Sequence, residues 1–278
     1  MYKMGYLGPP GTFTQEALFK YIQLPPEEIK EYSTISEVIR AIGKEVEWGI
    51  VPVENSLEGS VNITLDILAR ETNLVINGEV IIPVSHHLLG KEGGTTGDVK
   101  HLYSHPQAVA QCRKFIEKHL PQSQTELTLS TAQAARLISE RRNDNTCAAI
   151  GTRRAADLYG LKVLEENIHD YDCNYTRFIV LSLKHNREAT GKDKTSLVFG
   201  IKDGPGALYQ VLKEFALRQL NLTRIESRPS KRNFGDYLFF VDLEGHLNEP
   251  KIKETLESVG ENTVFLRVLG SYPQGEMP

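Results

Sequence analysis

The sequence predicts an α/β fold followed by a smaller module of βαββαβ order. Through residues 1–184, apolar segments of strand length alternate with helical patterns, an order that favours largely parallel sheets covered by helices. After a polar segment at 185–194, the pattern runs strand, helix, strand, strand, helix, strand, which is the ferredoxin-like order. With 278 residues the chain is long enough for two or three modest domains.

The strands predicted in the first part share short apolar runs, at residues 3–7, 47–53, 75–89, 100–103, 127–129 and 148–150. Helices are expected at 14–22, after Thr34 and from 61 to 68. Four segments have the Ser/Thr-x-x-Glu/Gln spacing of a capping box, namely Thr12/Gln15, Thr34/Glu37, Ser104/Gln107 and Ser130/Gln133. Such helix N-termini present free N–H groups and partial positive charge to anions.

The second part begins after the segment His185–Lys194, whose polar composition predicts a linker. Its predicted elements are strands and helices of ordinary length, at 195–200 (strand), 207–218 (helix), 222–227 (strand), 237–243 (strand), 250–258 (helix) and 264–269 (strand). This segment is therefore expected to fold as a separate domain.

Composition narrows the function classes. A net charge of −4 argues against a nucleic-acid partner, and no apolar stretch is long enough to span a membrane. The N-terminus lacks the apolar core of a signal peptide. Cys112, Cys147 and Cys173 have no metal-ligand spacing and indicate reduced thiols of a cytoplasmic protein. His86 and His87 are adjacent in an apolar segment, so we expect structural roles for them and no metal.

The most informative motif is Asn174-Tyr175-Thr176-Arg177-Phe178, which opens the apolar run at 179–181. An amide, a hydroxyl and a guanidinium thus stand together at the start of a strand. Similar polar clusters recur at residues 8–14, 54–61, 104–108 and 130–135. In its order and spread, this set resembles the prephenate dehydratase family over nearly the whole chain.

The resemblance implies a catalytic domain at residues 1–184, built as two lobes around a cleft like the periplasmic binding proteins. Lobe one would be residues 1–77 plus a returning strand near 176–183, and lobe two roughly 78–172. Residues 195–278 resemble an ACT domain through Gly206-Ala207-Leu208 and Glu226-Ser227-Arg228-Pro229. The sequence shows no extra N-terminal helical domain of the chorismate mutase type, so we expect a monofunctional enzyme.

The family converts prephenate to phenylpyruvate, water and carbon dioxide, a reaction that requires no metal and no organic cofactor. By resemblance, Thr176 acts on the leaving hydroxyl, and Asn55, Ser104 and Gln111 are the other candidate catalytic residues. Ser104 is expected to begin the helix that carries Gln111. The candidate substrate-binding residues are Thr12, Glu54, Ser56, Ser130, Thr131, Arg177 and Phe178. Strand alternation places Arg177 on the face opposite Thr176, and Phe178 on the same face as Thr176.

The ACT resemblance implies feedback inhibition by L-phenylalanine, bound by Gly206, Ala207, Leu208, Glu226, Ser227, Arg228 and Pro229. It also implies a homodimer or homotetramer assembled through these domains. Two alternatives remain open. Arogenate dehydratase performs the same chemistry on the amino analogue, and the residues do not separate the two substrates. A non-catalytic two-lobed regulator is the other, which the intact Thr176-Arg177-Phe178 disfavours.

Overall fold

The chain is described by a computed structural model that covers residues 2–141, 144–185, 188–230 and 237–277. Residues 186–187 of the predicted linker and 231–236 and 278 of the predicted ACT domain lie outside the described residues. The fold consists of two compact units. The first comprises the chain up to Thr64 together with Val80–Phe178, and the second comprises Leu65–Glu79 and Ile179–Met277.

The helices are α1 (Phe13–Tyr21), α2 (Ile35–Ala41), α3 (Asn62–Arg70), α4 (Pro106–Gln111), α5 (Arg113–His119), α6 (Thr131–Glu140), α7 (Arg153–Tyr159), α8 (Ala207–Leu217) and α9 (Pro250–Glu261). Within the described ranges, none of these helices combines the length and the apolar character needed to cross a bilayer.

The strands are β1 (Tyr2–Leu7), β2 (Ile29–Tyr32), β3 (Val46–Asn55), β4 (Gly59–Ser60), β5 (Val75–Pro83), β6 (His87–Gly90), β7 (His101–Ser104), β8 (Gln124–Leu127), β9 (Cys147–Gly151), β10 (Lys162–Glu165), β11 (Tyr175–Ser182), β12 (Asp193–Gly200), β13 (Leu222–Pro229), β14 (Tyr237–Glu244) and β15 (Phe265–Pro273).

Two mixed sheets underlie the catalytic part of the chain. The first has the order β2-β1-β3-β11-β5, with β4 paired to β3, and β1 runs parallel to both β2 and β3. The second has the order β10-β6-β9-β7-β8, in which β7 runs parallel to β8 and β9, and β6 runs antiparallel to β9. Two separate α/β sheets are what the predicted two-lobed fold requires.

The second sheet is covered by helices on both faces. Cys147 and Ala149 of β9 pack with buried residues of α6 and α7, whereas Ala148 and Ile150 pack with residues of α4 and α5. Successive residues of a strand point to opposite faces, so an uninterrupted apolar run is what a doubly covered strand needs. This explains why 148–150 reads as a buried strand from sequence.

The second unit contains an antiparallel sheet of order β13-β14-β12-β15. With α8 and α9 it follows the ferredoxin-like βαββαβ path that the sequence predicts. Its core joins residues of the central strands, such as Phe199 and Val241, to Val211 and Phe215 of α8 and Ile252 of α9. The strand β13 forms one edge of this sheet.

Two predicted strands differ from the structure. Residues 75–89 form two strands, β5 and β6, which belong to different sheets. The strand predicted at 127–129 is instead β8 at Gln124–Leu127, and Leu129 lies beyond it, 87% exposed. Because β8 is an edge strand whose four residues are all exposed, its true bounds carry no apolar signal.

The predicted capping box at Ser104 is also wrong. Ser104 ends β7 and is fully buried, and its Oγ donates to the carbonyl oxygen of Ile150 on β9 at 2.9 Å. The N-cap of α4 is His105, whose Nδ1 accepts from the backbone N–H of Gln107. The capping-box spacing holds at Thr34, where both reciprocal bonds to Glu37 form.

The predicted linker at 185–194 is too long at its C-terminal end, because Asp193 and Lys194 are buried residues of β12. Their polarity has local causes. Asp193 accepts hydrogen bonds from the backbone N–H groups of Thr190 and Gly191, and Lys194 forms an ion pair with Glu79. By composition alone, a strand that begins with buried charged residues cannot be distinguished from a polar linker.

Candidate active site

A cleft of about 490 Å³ lies in the first unit and is lined by residues that the sequence places far apart. The first sheet and its connections contribute Asn55, Thr176 and Phe178, and the second sheet and its helices contribute Gln111 and Ser130. The remaining lining residues are Leu7, Thr12, Phe13, Thr14, Pro52, Glu58, Gly59, Ser60, Val61, Val84, His86, His105, Gln107, Ala108, Leu129 and Thr131.

Seven of the predicted catalytic and substrate-binding residues therefore line one cleft, namely Thr12, Asn55, Gln111, Ser130, Thr131, Thr176 and Phe178. Four others, Ser104, Glu54, Ser56 and Arg177, do not line it. Ser56 ties the loop after β3 to the start of β11, since its Oγ donates to the carbonyl of Cys173 and accepts from the N–H of Tyr175. Ser56 thus bonds backbone groups next to Thr176.

Arg177 lies on the face of β11 opposite Thr176, as strand alternation predicts. Its guanidinium is 3.6 Å from the carboxylate of Glu54, and its side chain is 11% exposed. The pair joins the end of β3 to β11 beside the cleft. Arg177 therefore links two strands of the first sheet.

Asn55 holds the Thr176 hydroxyl in a defined orientation. The side-chain oxygen of Asn55 accepts from the backbone N–H groups of Leu57 and Glu58, both at 3.0 Å. Its NH2 group must therefore face the other way, where it donates to Thr176 Oγ1 at 2.9 Å. Because the Thr176 oxygen accepts this bond, its own hydrogen remains available for a group inside the cleft.

Two further residues belong to the site although neither was a predicted site residue: His86, which lines the cleft, and Asn174, which contacts Asn55 and Gln111 from behind its lining. Asn174 is 2% exposed, accepts from Asn55 Nδ2 at 2.9 Å and donates to Gln111 Oε1 at 3.0 Å. The signal for it was present, since Asn174 and Thr176 are two residues apart at the start of a strand and share a face. His86 was expected to be structural, and no motif or spacing in the sequence connects it to Gln111.

His86 is 3% exposed, and its Nε2 lies 3.0 Å from Gln111 Oε1. Burial lowers the pKa of the His86 imidazole to about 4, against the opposing effect of the Gln111 hydrogen bond. The ring is therefore neutral near pH 7. Phe13 packs edge-on against it, with ring centroids 5.9 Å apart. His86 is thus a neutral polar group of the cleft lining, next to Phe13.

The charge of the cleft is unusual for an anion site. Of the described residues that line it, none is a lysine or arginine, and Glu58 is the one carboxylate. The N-terminal turns of α1 and α6 reach it through Thr12, Ser130 and Thr131. The Thr12 hydroxyl donates to the carbonyl of Leu7 and accepts from the N–H of Gln15. Free backbone N–H groups and hydroxyls are therefore the donors that an anion meets here.

A metal centre finds no support in the described ranges, where no group of three or more His, Cys, Asp or Glu side chains could hold a metal ion. His87 lies outside the cleft lining and accepts from the N–H of Asn167 through Nδ1. Cys112, Cys147 and Cys173 are free thiols, and burial raises the pKa of Cys112 to about 12.

The residues predicted to bind phenylalanine lie in the second unit. Gly206, the N-cap of α8, has φ 79°, which favours glycine. Along β13, Glu226 and Arg228 are half-buried while Ser227 and Pro229 are exposed. Glu226 pairs with Arg224, and Arg228 Nη2 lies 3.3 Å from Asp66 Oδ1. The motif at 226–229 therefore divides between the two faces of an edge strand.

Comparisons with known proteins agree with this architecture. Residues 4–186 match the model of the prephenate dehydratase family, and residues 195–261 match that of the ACT domain. The bifunctional chorismate mutase/prephenate dehydratase of Aquifex aeolicus is 44% identical over 98% of this chain and 74% of its own length. The prephenate dehydratase of Methanocaldococcus jannaschii is 42% identical over 96% of this chain and 97% of its own.

A solved structure extends the match to three dimensions. The prephenate dehydratase of Arthrobacter aurescens, crystallised with L-Phe, superposes with a TM-score of 0.87 at 35% identity, covering 98% of this chain and 90% of that one. On these matches the chain belongs to the prephenate dehydratase family, a family of hydro-lyases, and carries an ACT domain after its catalytic part.

Proposed function

We propose that this protein converts prephenate to phenylpyruvate, water and carbon dioxide in the biosynthesis of L-phenylalanine. The observation that carries the proposal is the orientation of the Thr176 hydroxyl. Asn55 donates to its oxygen, and the side chain lines the cleft, so its hydrogen is available to a bound molecule. Membership in the family supplies the substrate class.

The chemistry needs little more than a well-placed donor. Prephenate carries a hydroxyl on a cyclohexadiene ring and, on the opposite carbon, a carboxylate and a pyruvyl arm. The bond to the ring carboxylate breaks, its electron pair moves into the ring, and the C–O bond to the hydroxyl breaks as the ring becomes aromatic. The departing hydroxide takes up one proton from solvent and leaves as water. A hydrogen bond from Thr176 stabilises the charge that develops on this oxygen.

The two carboxylates of prephenate would be held without basic side chains in the cleft wall. The N-terminal turns of α1 and α6 at the cleft supply backbone N–H groups and partial positive charge. Gln111 adds an amide group, and Phe178 an apolar surface for the ring. This arrangement suits decarboxylation. A cationic side chain beside the ring carboxylate would stabilise its negative charge and so oppose the movement of its electron pair into the ring.

The test is direct. The chain is incubated with prephenate, and phenylpyruvate is detected by its absorbance in base, with arogenate assayed side by side. Thr176→Ala should lower kcat by about 10²–10⁴-fold with a smaller change in KM, because the hydroxyl acts on the departing oxygen. Thr176→Ser keeps the hydroxyl and should retain most of the rate. Wild-type chain that forms no phenylpyruvate, or a folded Thr176→Ala variant of normal rate, would contradict the proposal.

We further propose that L-phenylalanine inhibits the enzyme through its ACT domain, with Gly206, Ala207, Leu208 and residues 226–229 at the binding site. The related structure from Arthrobacter aurescens contains L-Phe. The edge position of β13 supports assembly of two or four copies through these domains. The biosynthetic role of the relatives supports a cytoplasmic location.

Substitution at Gly206 tests this regulation. Because its φ is 79°, Gly206→Ala strains the turn that begins α8 and should weaken phenylalanine inhibition. Gly204→Ala is the matched control, since a Cβ there meets no atom within 4 Å. Calorimetry and initial rates are measured on both variants. Absence of phenylalanine binding to the wild-type chain, with an unchanged rate, would refute the regulatory role.

A further inference from the structure

A continuous chain of side-chain hydrogen bonds runs from Thr176 to a buried imidazole. Asn55 donates to Thr176 and to Asn174, each at 2.9 Å. Asn174 in turn donates to Gln111 Oε1 at 3.0 Å, and the same oxygen lies 3.0 Å from His86 Nε2. The chain of bonds thus joins two strands of the first sheet to α4 and ends at His86, a residue with no assigned role.

The direction of every bond in this chain follows from the backbone. Asn55 Oδ1 accepts two backbone N–H groups, so its NH2 group faces Asn174 and Thr176. Asn174 must then present its oxygen to Asn55 and its NH2 group to Gln111. Gln111 presents its oxygen to Asn174, and its Nε2 faces Glu58 at 3.4 Å. Only a donor can complement Gln111 Oε1 from the remaining side.

That donor is His86 Nε2, which defines the tautomer of the ring. Nε2 carries the hydrogen and Nδ1 carries the lone pair. Nδ1 is buried and has no hydrogen-bond partner among the described residues, so a proton there would be a buried, unsatisfied donor. The backbone N–H of His86 donates to His169 Nδ1, which holds the main chain at this position. The ring is therefore suited to a neutral Nε2–H state.

We propose that His86 is a positioning residue for the dehydration: its Nε2–H holds Gln111 and Asn174 in the one amide orientation in which Asn174 accepts from Asn55, the donor to Thr176. The inference rests on the proposed function. If Gln111 rotated its amide, two NH2 groups would face each other at Asn174. Asn174 would then rotate as well and present an NH2 group to Asn55. Because Asn55 is itself fixed by two backbone N–H groups, two NH2 groups would oppose each other there, and the donor to Thr176 would lose its bond to Asn174.

Two substitutions separate the donor from the shape of the ring. His86→Phe keeps an aromatic ring against Phe13 and removes the donor. His86→Gln places an amide N–H within reach of Gln111. We expect His86→Phe to lower kcat about 10-fold, the effect of one orienting hydrogen bond of ordinary strength, with KM changed less than about 3-fold. His86→Gln should recover a rate within about 3-fold of the wild type.

His87→Gln is the matched control, because His87 is adjacent and, like His86, buried, but bonds Asn167 instead of Gln111. It should leave kcat and KM unchanged. Equal rates for wild type and a folded His86→Phe variant, or equal loss in His86→Phe and His86→Gln, would overturn the proposal. Failure of wild-type chain to turn over prephenate would instead refute the proposed function.

A second measurement does not depend on activity. Nitrogen NMR of the wild-type chain, with imidazole-labelled histidine and His86 assigned by its loss in His86→Gln, reports the tautomer directly. The neutral Nε2–H form at pH 7 is expected. The Nδ1–H form, or a protonated ring at this pH, would refute the assignment, because either state breaks the order of donors and acceptors derived above.

Discussion

The ion pair between Glu79 and Lys194 gives the sharpest stability prediction. It lies inside the second unit, with side-chain exposures of 0% for Glu79 and 9% for Lys194. Lys194 Nζ is 2.7 and 3.0 Å from the two carboxylate oxygens, and the N–H of Gly275 donates to one of them at 2.9 Å. Both charges are therefore compensated within a dry environment.

Removal of one charge leaves the other buried and unpaired. Glu79→Gln keeps the shape and an acceptor for Gly275, and Lys194→Met keeps the aliphatic volume. Each single change should lower the free energy of unfolding by about 3–5 kcal/mol. The double variant should lose much less than the sum, because an intact buried pair contributes little beyond its own desolvation cost.

Arg113→Gln is the control that isolates burial. Arg113 and Glu117 approach to 2.6 Å, nearly the distance in the buried pair, but their side chains are 75% and 61% exposed. An exposed pair of this kind contributes little to stability, because water screens both charges. Unfolding is followed by circular dichroism in urea, which does not screen charge. Single variants of the buried pair that stay within about 1 kcal/mol of wild type would refute the reasoning.

Two further predictions concern His86 and two glycines. The pKa of His86 is lowered from 6.5 to about 4, so the unfolded chain binds more protons between these values and stability falls as the pH falls through this window, by up to about 3 kcal/mol. Urea unfolding at pH 7 and pH 4.5 should therefore show a smaller pH effect in His86→Gln than in wild type, and identical pH effects would contradict the burial argument. Gly270→Ala should destabilise the second unit strongly, because a Cβ there would lie 2.1 Å from the carbonyl oxygen of Ile76. Gly260→Ala in α9, where a Cβ meets no atom within 4 Å, should instead stabilise by up to about 1 kcal/mol. Thermal melts that rank these two variants in the opposite order would show that the close approach at Gly270 relaxes easily.

Local chemistry made much of the fold predictable. Thr12, Thr34 and Ser130 each cap a helix through a bond to the backbone three residues on, and this preference needs no tertiary context. Apolar runs located most strands, and the order of strands and helices after the linker specified the βαββαβ domain. Where local signals failed, as at Ser104, a competing tertiary bond to Ile150 decided the outcome.

The motif at 174–178 shows how far the sequence alone determines the site. Strand alternation placed Thr176 and Phe178 on one face and Arg177 on the other, and the cleft lining follows that division. The motifs also identified the family, because their order and spacing along the chain are informative even where each single residue is ambiguous. These properties depend on short-range geometry, which the sequence states directly.

Only the tertiary structure decided which polar groups meet. Asn174 bonds Gln111 across 63 residues of sequence and Asn55 across 119, and His86 reaches Gln111 from the segment between β5 and β6. The buried partner of Lys194 is 115 residues away at Glu79. Such pairings depend on how sheets twist and connect. The residue type of a lysine, a glutamate or a histidine does not reveal whether it lies in an exposed linker or in the core. The donors and acceptors that hold Thr176, and the state of His86, are therefore properties of the folded chain.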